Sequence, residues 1–273
     1  MTKQLNGSEL VGYIQERQAR QVRALRQASK VFPKFVIIKS TTASPVIDVY
    51  VRLKQRYAEE ILIETHVVTL HEGDMPLAIE RFNDDPAIHG IIVQLPLADP
   101  ALTDAIVNLI DPKKDVDGLS EAAKYESATA TAINWLLAGY GVDLQGKTIT
   151  IVGNGRLVGA PLAKLWRSSS HNVTVLDDTY EDIASVLKKS DIIVTATGVP
   201  RLIKSDMIQI GATVVDAGTA SENGVVVGDV DPSVRERDDI IITPVKGGVG
   251  PLTIAALCDH VIQAATKVAG EKA

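Results

Sequence analysis

The chain has 273 residues, a length that exceeds one ordinary domain and suits two. Hydrophobic residues make up 45% of it and aromatic residues only 4%, so its cores should consist mainly of aliphatic side chains. The net charge of −6 and the isoelectric point near 5.4 argue against a nucleic acid or an anionic membrane surface as partner.

Cysteine content and hydropathy bear on the compartment. Cys258 is the only cysteine in the sequence, which excludes an intrachain disulfide and a cysteine-based zinc site. The segment Met1–Gly7 lacks the apolar stretch of a signal peptide, and no apolar run approaches the length that spans a bilayer. These features predict a soluble, cytoplasmic protein that acts on small molecules.

In chain order, the first half of the sequence alternates between predicted helices and strands. The predicted helices are Ser8 to about Gln27, Pro45 to about Glu60, Pro76–Asn83 and Leu102–Ile110. The predicted strands are Phe35–Ile38, Ile61–Leu70 and His89–Leu95. After the opening helix, this βαβαβα order is typical of a parallel sheet.

The loop-forming segment Asp111–Gly118 interrupts this alternation, and a second half follows. A helix is predicted at Ala132–Ala138 and another from Gly250 to about Val268. Further helices are predicted between the earlier strands of this half. The second half begins with the segment Gly146–Gly153, and further strands are predicted at Asn172–Leu176, Asp191–Ala196, Thr213–Asp216 and Ile240–Thr243. The pattern indicates a nucleotide-binding half built on parallel strands.

A tyrosine and a lysine on one helix face form the most informative motif. Ser44-Pro45 predicts an N-cap followed by the first helical position, and Tyr50 and Lys54 then share a face because they are four residues apart. A phenol ring beside an amine can stack on a flat heterocycle and handle a proton or a water. The alternative is an exposed helix face with an incidental tyrosine.

Polar side chains also follow the buried strands of the first half. Gln94 ends a buried strand, and ligands of open parallel sheets bind beyond the carboxyl ends of strands. Asp115 and Asp117 could hold the amine and amide groups of a heterocycle. The alternatives are a satisfied edge amide for Gln94 and an aspartate-stabilised turn for the two acids.

A glycine loop joins a strand to a helix in the second half. Gly153, Gly155 and Gly159 allow a tight turn and let backbone N–H groups approach a pyrophosphate. Their spacing is one residue longer than the usual dinucleotide fingerprint, but the strand–loop–helix context favours a dinucleotide. The alternative is an ordinary turn between a strand and a helix.

Two acids at the end of the next strand bear on the choice of dinucleotide. Asp177 and Asp178 can accept a hydrogen bond from an adenosine ribose hydroxyl and repel a 2′-phosphate, which favours NAD over NADP. Arg156 could instead bind a phosphate. The alternative for the acids is a solvated pair that caps a helix near Tyr180.

Three glycines in Lys246–Thr253 precede the last helix. Such a segment indicates either a close approach of the backbone to a ligand or a hinge between domains, and both can hold together. None of the five histidines pairs with carboxylates at metal-ligand spacing, so no protein-held metal is predicted.

Taken in order, these segments resemble the bifunctional methylenetetrahydrofolate dehydrogenase/methenyltetrahydrofolate cyclohydrolases over nearly the whole chain. The similar segments are Tyr50-x-x-x-Lys54, Val93–Leu97, Lys114–Gly118, Val227–Val230 and Gly247–Thr253. The resemblance implies an α/β fold of two domains: a folate-binding catalytic domain at 1–119, completed by the helix 251–273 that returns to it, and a Rossmann-like NAD(P)-binding domain at 140–248. It also implies a homodimer active in one-carbon metabolism and purine biosynthesis.

The same resemblance implies a role for each site residue that matches the family's segments. Lys54 would serve the cyclohydrolase step, Tyr50 would stack on the folate, Gln94 would hydrogen-bond and tune Lys54, and Asp117 would hold the pteridine end of a tetrahydrofolate derivative. The other expected substrate-binding residues are Gly248, Pro251 and Thr253. The expected cofactor-binding residues are Gly153, Asn154, Gly155, Arg156, Leu157, Val158, Asp177, Asp178, Thr197 and Gly198.

The chain departs from the family pattern in its linker and cofactor half. Ser127–Ala132 replaces the usual Pro-Cys-Thr-Pro-x-Gly. Asn154 and Asp178 stand where many members have an arginine and a serine that meet the NADP phosphate, which again favours NAD. Two alternative functions therefore accompany the bifunctional one: a cyclohydrolase-only enzyme and a non-catalytic paralogue that binds folate or nucleotide.

Overall fold

The computed structural model describes residues 3–222 and 225–271, which form an α/β protein with two parallel sheets. Within these ranges the helices are α1 (Gly7–Ala28), α2 (Pro45–Glu60), α3 (Met75–Asp84), α4 (Thr103–Val107), α5 (Ala128–Gly139), α6 (Gly159–Ser168), α7 (Ile183–Leu187) and α8 (Val249–Glu271). The strands are β1 (Lys3–Gln4), β2 (Lys34–Ser40), β3 (Glu64–Leu70), β4 (Gly90–Val93), β5 (Ile149–Val152), β6 (Val173–Leu176), β7 (Ile192–Thr195), β8 (Thr213–Asp216), β9 (Ala220–Glu222), β10 (Val225–Val227) and β11 (Ile241–Ile242).

The chain divides into two compact units, neither of which is continuous in sequence. The three-stranded unit comprises Gly12–Ala128 and Ile254–Ala273, and the six-stranded unit comprises Met1–Val11 and Thr129–Thr253. Most of α8 thus belongs with the N-terminal strands, which confirms the predicted return of the last helix.

The sheet of the three-stranded unit has the order β3-β2-β4 with all strands parallel. Phe35–Ile38 in β2 are fully buried, because helices cover both faces of a parallel sheet and its central strand reads as a continuous apolar run. The predicted strand at Ile61–Leu70 starts later, at Glu64. Ile61 still bonds back to the end of α2, and Leu62 has a positive φ of 67°, so these residues turn the chain before it extends.

The sheet of the six-stranded unit has the order β1-β11-β8-β7-β5-β6 and is also parallel. The chain runs from β5 to β6 on one side and then to β7 on the other, so the strand order reverses between β5 and β7. Open parallel sheets bind ligands at such a switch point. All four residues of β5 and of β7 are buried, as their apolar sequences predict.

Two features of this unit were not predicted. The short β1 extends the sheet by pairing with β11, and β9 and β10 form an antiparallel hairpin. The dipeptide Asn223-Gly224 in the sequence between them is a strong hairpin signal.

In the three-stranded unit, the helix predicted at Leu102–Ile110 is shorter than expected and ends at Val107. Leu109 and Ile110 instead bond to carbonyls three residues back and close the turn ahead of Pro112.

Candidate active site

Helix α2 brings Tyr50 and Lys54 to the carboxyl edge of the three-stranded sheet. The helix begins at Pro45, and Ser44 occupies the N-cap position with an extended backbone, as predicted. The Ser44 side chain makes no capping hydrogen bond. The buried positions of α2 are Ile47, Val51, Lys54, Tyr57 and Ala58. Lys54 thus lies in the inward-facing stripe, which contradicts the alternative of an exposed helix face.

Gln94 follows β4 directly and contacts Lys54. The Lys54 Nζ donates to Gln94 Oε1 at 2.6 Å. Gln94 is itself fixed, because its backbone N–H donates to the Ile38 carbonyl at 2.8 Å and its side-chain amide donates to the Leu95 carbonyl at 3.1 Å. The side chain is therefore a held acceptor for the amine.

The Lys54 residue is only 9% exposed, and burial lowers the pKa of its amine below the ordinary lysine value. The nearby Asp117 charge acts in the opposite direction and raises the pKa. Desolvation is the larger effect, so at a given pH a greater fraction of the amine is neutral than for a free lysine. A neutral amine can accept a proton, which is what a general base requires.

Asp115 and Asp117 have different roles. The Asp115 carboxylate accepts hydrogen bonds from the backbone N–H groups of Gly118, Leu119 and Ser120 and from the Ser120 hydroxyl. Asp115 is thus the residue that stabilises the turn, as one alternative held. Gly118 has a φ of +70°, and a side chain there would meet the Glu126 carbonyl, so the turn requires glycine.

The turn leaves Asp117 available to a ligand. Among the described residues, the Asp117 carboxylate has no hydrogen-bond partner, although the side chain is partly buried. Burial raises the pKa of Asp117, while the Lys54 charge lowers it. Tyr50 is also half-buried, and burial raises the pKa of its hydroxyl, which stays neutral.

A buried histidine that the sequence reasoning missed contacts the backbone of the turn that carries Asp117. His260 in α8 donates from Nδ1 to the Val116 carbonyl at 2.8 Å, and its ring stacks on Tyr125 with centroids 5.0 Å apart. Burial lowers the pKa of His260, so the neutral ring with Nδ1 protonated is favoured. Its spacing of four from Ala256 and Ala264 on the buried stripe of α8 was the available signal.

The glycine loop of the six-stranded unit lies between β5 and α6, at the switch point. Gly153 has a φ of +101°, and a Cβ there would lie 2.5 Å from the Ala196 carbonyl oxygen. A Cβ on Gly159 would collide with the Gly153 carbonyl. By contrast, Gly155 faces open space, and the segment 154–157 is exposed. The loop therefore has the close packing and the open outer surface of a phosphate-binding turn.

The two acids beyond β6 are exposed. The Asp177 carboxylate accepts from the backbone N–H and the hydroxyl of Thr179, and these bonds lower its pKa. No helix starts at Tyr180; α7 starts at Ile183 and is capped by Asp182. On the other side of the glycine loop, the predicted cofactor residues Thr197 and Gly198 follow β7.

The glycine segment before α8 belongs to the six-stranded unit. Gly247 has a φ of +84°, and a Cβ there would lie 2.6 Å from the Ser8 hydroxyl. Gly248 packs on Thr243, Pro251 lies in the first turn of α8, and the Thr253 hydroxyl donates to the Val249 carbonyl. These glycines meet a local packing requirement.

Within residues 3–222 and 225–271, no group of three or more histidine, cysteine, aspartate or glutamate side chains is placed to hold a metal ion. None of the helices in that part of the chain has the length and apolar character needed to cross a bilayer.

Comparison with known proteins links both units to one family. Residues 5–117 match the family model "Tetrahydrofolate dehydrogenase/cyclohydrolase, catalytic domain", and residues 127–269 match its "NAD(P)-binding domain". The Bifunctional protein FolD of Lactobacillus helveticus is 37% identical over 278 residues, covering 96% of this chain and 97% of the relative.

Two solved structures extend the similarity to the fold. The bifunctional enzyme FolD, a methylenetetrahydrofolate dehydrogenase/cyclohydrolase from Campylobacter jejuni, matches with a TM-score of 0.91 and 31% identity over 98% of this chain and 100% of that one. The Trypanosoma brucei N5,N10-methylenetetrahydrofolate dehydrogenase-cyclohydrolase, complexed with NADP and an inhibitor, matches with a TM-score of 0.91 and 30% identity over 98% of each chain.

Proposed function

The chain belongs to the tetrahydrofolate dehydrogenase/cyclohydrolase family, and from this we infer that it catalyses two successive reactions of one-carbon metabolism. It oxidises 5,10-methylenetetrahydrofolate to 5,10-methenyltetrahydrofolate with a nicotinamide dinucleotide, and it hydrolyses the product to 10-formyltetrahydrofolate. The observation that carries this proposal is the buried Lys54 amine, held 2.6 Å from Gln94 at the carboxyl edge of the three-stranded sheet.

We propose that Lys54 is the base of the hydrolytic step. Water adds to the cationic methenyl carbon, and the neutral Lys54 amine takes the proton that the water loses. The new hydroxyl group then loses its proton as the bond from this carbon to N5 breaks, and N5 takes up a proton, which leaves the formyl group on N10. A cationic substrate beside the amine lowers the lysine pKa further, in the same direction as burial does. Gln94 accepts one Nζ hydrogen and thereby orients the amine. Tyr50 stacks on the flat ring, and Asp117 accepts hydrogen bonds from amine or amide groups at the pteridine end.

The six-stranded unit fits a dinucleotide. The close contacts at Gly153 and Gly159 bring the loop backbone tight against the sheet, and the exposed outer segment leaves N–H groups at the start of α6 facing a pyrophosphate. The bound dinucleotide supplies the hydride acceptor for the oxidation. The glycine loop and the Lys54–Gln94 pair argue against the cyclohydrolase-only and non-catalytic alternatives.

The pH dependence of hydrolysis should reflect the lowered pKa of Lys54. Because the neutral amine is the active form, kcat should rise with pH and show an inflection at a Lys54 pKa below 10.5, the ordinary lysine value. The Asp117 charge raises that pKa, so Asp117→Asn should move the inflection to lower pH. The measurement is kcat for methenyltetrahydrofolate hydrolysis against pH, corrected for the uncatalysed rate. A wild-type inflection at or above 10.5, or an upward shift in Asp117→Asn, would contradict the assignment.

For the cofactor, we propose a preference for NAD over NADP. Asp177 and Asp178 are exposed at the end of β6, where a 2′-phosphate would meet their negative charge. The expected result is a higher dehydrogenase kcat/KM with NAD than with NADP, and a shift of about 10-fold or more toward NADP in Asp178→Ser. Initial rates with both dinucleotides check this.

The control for that experiment is Asp206→Ser, which removes another exposed aspartate of the same unit. It should leave the NAD/NADP ratio unchanged. Equal or better turnover of the wild type with NADP would overturn the NAD assignment and make Arg156 the candidate phosphate ligand.

We further propose a cytoplasmic homodimer, which the family resemblance supports; a solution mass of twice the 29.2 kDa of one chain would bear out the dimer.

A further inference from the structure

The six-stranded unit contains a buried carboxyl group that the roles above leave unused. Asp229 is fully buried just after β10. Its Oδ2 accepts two short hydrogen bonds, from the Thr195 hydroxyl and from the Thr197 backbone N–H, both at 2.6 Å. Its Oδ1 is also buried, and within the described ranges it has no hydrogen-bond partner. One carboxyl oxygen of Asp229 thus bonds to residues at the end of β7, and the other lacks a hydrogen-bond partner among the described residues.

A neighbouring aspartate shows how such a group is normally compensated. Asp216 forms an ion pair with Arg235 at 2.7 Å and accepts the backbone N–H of Asp229 at 3.0 Å. Asp229 has no such cation among residues 3–222 and 225–271, and its own carbonyl accepts from Ile203 N–H at 3.0 Å. Burying a carboxyl group with an orphaned oxygen is costly, so stability alone does not account for it. The hydrogen bond from the Thr197 backbone N–H suggests another role for Asp229, which is to fix the orientation of the peptide at Thr197.

That effect follows from the planarity of one peptide bond. The Thr197 N–H and the Ala196 carbonyl belong to the same trans peptide unit and therefore point in opposite directions. With the N–H held by Asp229, the carbonyl is directed at the glycine loop, 2.5 Å from the position of a Cβ on Gly153. The Ala196 N–H is fixed by the Val152 carbonyl at 2.8 Å. Asp229 thus decides the orientation of this peptide.

The peptide lies on one side of the switch point between β5 and β7. Asp177 at the end of β6 is on the adenosine side, and the glycine loop after β5 is the pyrophosphate position, so a dinucleotide that continues in this direction has its nicotinamide end over β7. On the premise of the proposed function, we propose that Asp229 is a positioning residue for the oxidation: it holds the Ala196–Thr197 peptide in the orientation that the nicotinamide end requires.

The test compares three substitutions of Asp229 in the full-length chain. Asp229→Ala removes the acceptor, and Asp229→Glu keeps an acid but moves its oxygens, so either variant tests the proposal if the other fails to fold. Asp229→Asn keeps an acceptor oxygen at the same place. Alanine and glutamate should weaken NAD binding or lower dehydrogenase kcat/KM about 10- to 100-fold, as expected for a small misplacement at a reacting centre. Asparagine should stay within about threefold of the wild type.

Two internal controls separate positioning from folding. Cyclohydrolase activity depends on Lys54 in the other unit and should stay within about twofold in every variant. Thr195→Val removes the second hydrogen bond to the same Asp229 oxygen without touching the Thr197 N–H, and it should bind NAD as the wild type does. Dissociation constants for NAD and NADP come from titration calorimetry, and both activities are measured on the same preparations.

The outcomes are distinct. Wild-type NAD binding together with wild-type dehydrogenase kcat/KM in the alanine and glutamate variants would overturn the inference, as would a parallel fall of both activities with the folded fraction. A loss in asparagine as large as that in alanine would also overturn it, because charge would then matter and not the position of the acceptor. If the wild type itself bound neither dinucleotide, the oxidative half of the proposed function would fail, and this inference with it.

Discussion

Replacing Lys54 with glutamine is expected to lower cyclohydrolase kcat roughly 10²- to 10⁴-fold, the contribution typical of a general base. Glutamine fills the same buried position and can still hydrogen-bond to Gln94, but it cannot take a proton from water. Folate binding should persist, because Tyr50 and Asp117 are untouched. The measurement is the loss of methenyltetrahydrofolate above the uncatalysed rate, with folate affinity determined in parallel.

Two further variants sharpen this result. Lys54→Arg keeps a positive charge that stays protonated at all accessible pH values, so it should be as inactive as glutamine. Arg52→Gln, on the exposed side of the same helix, should behave as the wild type. If Lys54→Arg were active, Lys54 would act as a fixed charge; if Lys54→Gln retained a third of the activity, the base would be another group.

Gly153→Ala is expected to reduce dehydrogenase kcat/KM for the dinucleotide about 100-fold while leaving cyclohydrolase activity unchanged. The φ of +101° is strained for alanine, and its Cβ would lie 2.5 Å from the Ala196 carbonyl oxygen. The clash can be relieved only by moving the glycine loop or the end of β7. Both changes displace groups that line the switch point. Initial rates of the two reactions measure the effect.

Gly155→Ala is the matched control in the same loop. A Cβ at Gly155 would meet nothing within 4 Å, and its φ is not positive, so the dehydrogenase rate should change by less than about threefold. Equal losses in the two variants would contradict the assignment of the loss to the contact between position 153 and the Ala196 carbonyl. Wild-type rates in Gly153→Ala would show that the packing at Ala196 is unimportant for the cofactor.

Local periodicity in the sequence was enough to predict which residues of the candidate site share a helix face or follow a strand. The spacing of Tyr50 and Lys54 and the position of Gln94 after a buried strand both depend on short-range rules, namely helix periodicity and strand ends. The fold class followed from the same alternation and is confirmed. What these rules omit is distance: nothing in the sequence fixes the 2.6 Å contact between Lys54 and Gln94, 40 residues apart.

The remaining features depend on long-range packing. Which of Asp115 and Asp117 closes the turn is decided by backbone N–H groups that only the folded chain gathers. His260 reaches Val116 across 144 residues, and Asp229 reaches Thr195 across 34. Buried polar partners of this kind leave no periodic signal. The strand β1 is too short to stand out, and its pairing with β11 is set by the sheet edge it meets.

The return of α8 has a consequence for synthesis on the ribosome. The strands that carry Gln94 and the helix that carries Lys54 are translated early, but the core of their unit also needs residues from Ile254 on. Among these, His260 holds the Val116 carbonyl, and the Ala255 carbonyl accepts from Gln18. The core around the Lys54–Gln94 pair is therefore completed only when almost the entire chain has emerged. The six-stranded unit ends at Thr253, so all of its residues have been synthesised before those of the three-stranded unit, although most of them follow Lys54 and Gln94 in the sequence.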